Sequence, residues 1–414
     1  MMRWSRRFST LLPDRWSKAL VTPIVTATIC VSSVLFGGNV MADSRDQAKR
    51  MHDRIAGVPP SAATLNAMQA AIDGGDPLSA ALLATQEPEF YSITLRNFAA
   101  PWTNRDSSVF VPLDDYIATI IGMVRDDLDF RGILHEDILY TGASGPAYAA
   151  NNNAHYEALE NADLQAELQR TTQSAVTSLP SQATAGVMTT RSAAKAFFID
   201  GTNRAMFRFT MVNHLCNDME QVHDVTRSPD RIRQDVSRSP GGDSRVFLNN
   251  CIGCHSGMDP MAQAFAYYDY SYDDEADPDG ENGSIVYNGT GSTDPVTGTR
   301  VVAKYFNNAN NFEYGYQTTD DSWSNYWRNG PNKLLGWDSA LTGSGSGAKS
   351  MGQELANSQA FAQCQVEKVF ENVCLRQPSD AADRAQVSSM VSSFSSGYSL
   401  RQTFAEAAVY CRGS

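Results

Sequence analysis

The sequence predicts a mainly α fold, a helical scaffold carrying irregular aromatic-rich loops and few short strands. Three observations predict it. Apolar residues recur at three- and four-residue spacing through most of 43–180 and again from 352 to 411. Gly, Pro and capping residues cut that pattern into short segments. Residues 284–349 lack the period and are rich in Gly, Asn, Thr and aromatics, which suits short strands and loops.

Taken in order, Arg3, Arg6, Arg7, Arg15 and Lys18 precede an apolar run from Ala19 to Phe36, and Val40-Met41-Ala42 has the small-x-small form of a signal-peptidase site. Residues 1–42 are therefore expected to be a Sec-type signal peptide. An uncleaved anchor is the alternative, since eighteen largely apolar residues could just span a bilayer. No later stretch is apolar enough to do so. The leader carries five basic side chains and one acidic, so without it the formal charge moves from −13 to −17. Phosphate would be repelled, which excludes nucleic acid as a partner and suits a partner with a basic docking face.

Residues 43–182 read as an N-terminal helical domain. A helix around Ala48–Ile55 stops at Val58-Pro59-Pro60, and Ser61 then caps a helix over 62–72 that ends at Gly74-Gly75. Helices follow at 77–85, 90–98 and 113–126, and the spacing predicts a long one over 155–178. His52, His135 and His155 have no paired ligand spacing and read as surface or satisfied core histidines. Asp114-Asp115 and Asp126-Asp127 read as a solvated helix face rather than an acid/base pair. Residues 183–414 form the second expected domain, with helices around Phe197 and Met206–Met211, a polar loop at 228–242, and helices over 352–375, 380–394 and 399–411.

That second region holds the strongest signal in the chain, Cys251-Ile252-Gly253-Cys254-His255. Two thiols on one helical turn can form thioethers to the vinyl groups of a haem, and the adjacent imidazole then falls under the iron as proximal ligand. A zinc site would want a second ligand pair at similar spacing, and a thioredoxin-like pair would want a preceding strand; the sequence offers neither. A single covalent haem c is expected on Cys251 and Cys254, ligated by His255. The scaffold is then one built around that haem.

Four cysteines remain beyond the leader and the motif, Cys216, Cys364, Cys374 and Cys411, an even number consistent with two disulfides in an oxidising compartment. Cys364 and Cys374 stand about 15 Å apart along one expected helix, which excludes their pairing with each other. The spacing leaves the other pairings open. For the sixth iron position, Met258 and Met261 stand too close to His255 to reach the opposite face. Met351 is the leading candidate because it follows a Gly/Ser run and precedes a helix. His214, His223, Met211 or an open site are the alternatives.

These stretches resemble a known group. Ile55-Ala56-Gly57-Val58-Pro59-Pro60, Ala185–Thr190, Gly201-Thr202-Asn203-Arg204 and Asn213-His214-Leu215-Cys216 are similar to segments of secreted planctomycete-type cytochrome-c-like proteins. So are Cys251–His255 with Met258-Asp259-Pro260 and Ala264-Phe265, and Phe361-Ala362-Gln363-Cys364 with the helix to Arg376. The resemblance implies haem attachment and export, not a substrate; residues 271–349 are longer and more aromatic than the group's loop. The resulting expectation is a periplasmic or secreted mono-haem protein that transfers electrons rather than a self-contained enzyme. One alternative is a peroxidase- or oxygenase-like oxidoreductase with His214 or His223 as acid/base and Arg204 or Arg208 assisting. Another is a sensor whose aromatic segment 305–337 holds a ligand.

Overall fold

The computed structural model describes residues 42–199, 202–231, 244–306 and 316–413. The leader and most of the 228–242 loop lie outside the described residues. Among those described, eleven α-helices have eight or more residues and six short strands pair into three two-stranded ribbons. The mainly α expectation holds. The described residues form one compact unit, and contacts cross the boundary expected near 182.

Capping sets the first helices. Asp43 accepts from Asp46 N at the start of α1 (Ser44–Ala56), and Ser61 accepts from Thr64 N at the start of α2 (Ala62–Asp73). Each cap satisfies a backbone donor that the helix leaves without an internal partner. Asp76 caps α3 (Pro77–Ala84), whose Pro77 occupies the first turn where no N–H is needed. The run from Phe90 is helical as expected, wound as a π turn to Leu95 before an α turn over Arg96–Ala99. The buried α4 (Asp115–Arg125) crosses the middle of this layer, with every residue from Asp115 to Val124 covered. Gly122 lets the Tyr140 ring lie against it, because a Cβ there would stand 2.2 Å from that ring.

The long helix expected over 155–178 does not form. Helical turns stand at Ala154–Glu157, Leu164–Glu167 and Gln173–Val176, the last two separated by β2 (Leu168–Thr171), antiparallel to β1 (Leu139–Gly142). Asp163 begins a new turn by accepting from Gln165 N and Ala166 N, and pairing with β1 then draws the following residues into a strand. Tertiary pairing overrides local propensity here.

The second half packs α6 (Asn203–Leu215) against both α5 (Arg191–Phe198) and α7 (Ile252–Ala262), the last of which carries the motif. The aromatic stretch yields β3 (Tyr268–Ser271) with β4 (Ser284–Tyr287), and β5 (Ser322–Ser324) with β6 (Ser344–Ser346). Trp323 and Trp327 are core side chains. Glu354 on α8 (Gly347–Ala356) is buried and accepts from Asn325 and Arg328, which fastens this stretch to the helix.

The C-terminal helices α9 (Gln359–Cys374), α10 (Ala381–Gly397) and α11 (Leu400–Tyr410) close the fold. Two disulfides tie them in. Cys216–Cys364 joins the end of α6 to α9, and Cys374–Cys411 joins α9 to the residue after α11. The α11 helix packs on α1 and α3, and Arg54 Nη1 donates to Val373 O at 2.9 Å.

Candidate functional site

The motif opens on a π turn, Phe247–Cys251, that runs into α7, so Cys251 and Cys254 lie one turn apart at the start of that helix. Both are unpaired thiols and half-buried, unlike the four bonded cysteines. Cys254 Sγ donates weakly to Met219 O at 3.4 Å. Burial, followed by the charges of Glu220 and Asp218, pushes the Cys254 thiol upward. Among the described residues, no group of three or more His, Cys, Asp and Glu side chains is placed to hold a metal ion through side chains alone.

His255 is fixed by the next turn of its own helix. Its Nδ1 stands 2.9 Å from Oδ1 of Asp259, whose side chain is 1% exposed. Arg204 Nη1 lies 3.3 Å from the same ring nitrogen and 3.9 Å from Asp259 Oδ2. One ring nitrogen holds either a proton or a lone pair, so it cannot serve both neighbours. The shorter and charge-assisted contact decides: Nδ1–H donates to Asp259, and Arg204 acts as the counter-ion of that carboxylate.

A cleft of about 510 Å³ opens at this end of α7, within the size range of cofactor sites. Arg204, Ala205 and Arg208 of α6 form one wall; Asp218, Met219 and Glu220 form another; Cys254, His255 and Met258 complete it. Arg208 is held by both oxygens of Asp218, at 2.7 and 2.6 Å. The loop after Cys216 is clamped onto α7, since Asp224 N donates to Gly253 O and Ser256 Oγ donates to Asp224 O. Glycine is required at two places here. A Cβ on Gly253 would meet the His223 ring at 2.1 Å, and one on Gly257 would meet the Trp327 indole at 1.9 Å. Exposed apolar side chains border the same segments: Val225 in the clamp, Val246 and Leu248 just before Cys251.

The other expected residues are placed as follows. Met351 is fully buried on α8 and does not line the cleft; its helix packs on the Phe130–Leu134 turn, so closely that a Cβ on Gly352 would stand 1.9 Å from Leu134 O. Met219 and Met258 are the methionines that do line it. His214 is 1% exposed and bonded through Nε2 to Tyr116 Oη at 2.7 Å, again outside the cleft, with burial holding it well below the usual imidazole range. His223 is exposed and lies over Gly253. Met211 is buried on α6, outside the cleft walls. His155 is a satisfied core histidine, accepting from Gly142 N at Nε2 and donating from Nδ1 to Pro146 O.

Sequence reasoning missed two residues. Asp259 was detectable, because a carboxylate four positions after a helical histidine shares its face. Met219 was not, because it reaches the cleft only through the fold of the loop after Cys216.

The reading of Asp114 and Asp115 as a solvated face is corrected. Both are buried, at 7% and 3% exposure. Asp114 caps α4, and Asp115 accepts from Arg191 N and Ser192 N at the start of α5. The two acids therefore serve helix ends in the interior, a placement the charge pattern alone does not reveal. Burial and the neighbouring Asp115 push Asp114 up to about 7. A folded-state value above the unfolded 3.8 means that the native chain holds this proton more tightly. The associated stability is complete at pH below roughly 4 and is lost as pH rises through about 7. Asp114→Asn keeps a capping side chain and removes the charge, so urea unfolding should find it gaining on wild type as pH climbs from roughly 5 to 8. Parallel stability profiles for the two proteins would refute this burial account.

Comparison with protein-family models, with curated proteins and with solved structures gives no match.

Proposed function

We propose that the chain is an exported mono-haem c-type protein that transfers electrons, with haem c attached through Cys251 and Cys254 and ligated by His255. The observation that carries this reading is the juxtaposition at the start of α7. Two unpaired thiols one turn apart are followed by an imidazole whose Nδ1–H is held by a buried carboxylate, beside a cleft of cofactor size. That hydrogen bond selects the tautomer that presents Nε2 as ligand, the arrangement usual for metal-bound histidine. Exposed Val225, Val246 and Leu248 supply apolar surface for a porphyrin to cover.

Bound there, haem would supply one-electron exchange. The residues of the chain do the rest. Cys251 and Cys254 tether the group, Asp259 orients His255, and Arg204 and Arg208 line the cleft as cations able to face propionates. Two disulfides fit an oxidising compartment, in keeping with the signal peptide read in residues 1–42. The acidic balance, −13 with the leader and −17 without it, favours a redox partner with a basic docking face. Among the described residues, no helix is long and apolar enough to cross a membrane. The burial of His214 against Tyr116 counts against that residue as the acid/base of a peroxidase-like site, leaving His223 as its candidate. The burial of Trp327 counts against its part in a ligand-binding surface.

The deciding experiment is the intact mass of the denatured chain after expression with cytochrome maturation machinery. One haem should stay with wild type and be lost from Cys251→Ala/Cys254→Ala. A wild-type mass equal to bare, processed protein ends the proposal. Spectra of the loaded protein then report whether a methionine sulfur or an open position completes the iron.

A further inference from the structure

We infer that Asp259 is a positioning residue that makes His255 a strongly electron-donating ligand, and that Arg204 moderates it. This rests on the haem reading above. Three features of the chain point there. The helical i,i+4 register places Asp259 Oδ1 2.9 Å from His255 Nδ1. The carboxylate is almost fully shielded, at 1% exposure, so its charge acts through a medium far less polarisable than water. Arg204 is a cation near its other oxygen, 3.9 Å away and itself 20% exposed, placed to offset part of that charge.

A carbonyl acceptor at Nδ1 would bring a partial charge; a buried carboxylate brings a whole one. It draws the ring proton toward itself and raises the basicity of the ligating nitrogen. A more basic ligand stabilises the oxidised iron more than the reduced iron. The midpoint potential is thereby lowered, and substitutions at Asp259 and Arg204 should move it in opposite directions.

The test is redox titration of the full, haem-loaded chain. Asp259→Asn keeps the shape and an acceptor oxygen without the charge. It should shift the ferric–ferrous equilibrium at least tenfold toward ferrous, which is about 59 mV upward for one electron. A loaded Asp259→Asn protein with the wild-type potential overturns this inference and leaves haem attachment standing; a wild-type chain without haem overturns the reading beneath both. If Asp259→Asn does not fold, Arg204→Gln and Arg208→Gln decide. Arg208 lines the same cleft but pairs with Asp218, so its variant measures the plain loss of a nearby cation. A larger fall in potential for Arg204→Gln supports the inference, and an equal or smaller one overturns it.

Discussion

Replacing Cys216 and Cys364 together by serine is expected to cost about 5 kcal/mol of stability, the largest loss from any change considered for this protein. The bond closes a loop across a sequence separation of 148, and the loop entropy withheld from the unfolded chain grows with the logarithm of that length. Cys374–Cys411, with a separation of 37, should contribute about 1 kcal/mol less by the same reasoning. The local consequence is larger at Cys216. The segment that begins there supplies Met219 to the cleft and Asp224 to the clamp on Gly253. Guanidinium unfolding of the double variant beside the oxidised wild type measures the effect, and reduction of the wild type, which opens both disulfides, should cost more. A change below about 1 kcal/mol would show that packing alone holds α6 to α9.

The second large effect concerns Glu354. Its buried carboxylate accepts from Arg328 Nε at 2.7 Å, Arg328 Nη2 at 2.6 Å and Asn325 Nδ2 at 2.7 Å. Glu354→Ala leaves the Arg328 guanidinium mostly shielded with its principal partner gone, which costs roughly 3–5 kcal/mol. Removing both charges should cost far less, because the penalty comes from the stranded cation rather than from the attraction itself. The pair Glu354→Met/Arg328→Met therefore discriminates: if it proves as unstable as Glu354→Ala, lost packing and not an uncompensated charge is responsible. The effect should reach the motif, since Asn325 and Arg328 flank the turn that sets Trp327 against Gly257. Its indole fluorescence gives a second readout.

The sequence announced what is local. Ser61 as a cap, a helix bearing both Cys364 and Cys374, and the thiol–thiol–imidazole order of the motif all follow from chemistry within a few residues. The helix expected over 352–375 is nonetheless broken at Asn357 and Ser358 into α8 and α9. The 155–178 segment misled because its partner, β1, lies some thirty residues earlier, and no periodicity within the segment encodes that pairing. Asp114 misled in the same way. Its burial reflects α5, more than seventy residues later, where Ser192 bonds the Asp114 carboxyl and the Arg191 and Ser192 N–H groups donate to the adjoining Asp115. Met351 looked suited to the iron because it follows a Gly/Ser run, yet those residues form β6 and lead it into the core. Met219 reaches the cleft only because a disulfide and a backbone clamp fold its loop back over α7.

The seating of α1 against the last helices has a consequence for biosynthesis. Arg50 donates to Arg412 O across 362 positions, and Met51 and Ile55 are fully covered. A ribosome delivers the amino-terminal end first, so the face of α1 and α3 that packs on α11 stays wet until α11 has emerged. Such distant contacts form late and leave sticky surface open to neighbouring chains. Nascent chains halted before residue 400 should therefore recruit chaperones and clump, whereas finished ones should not.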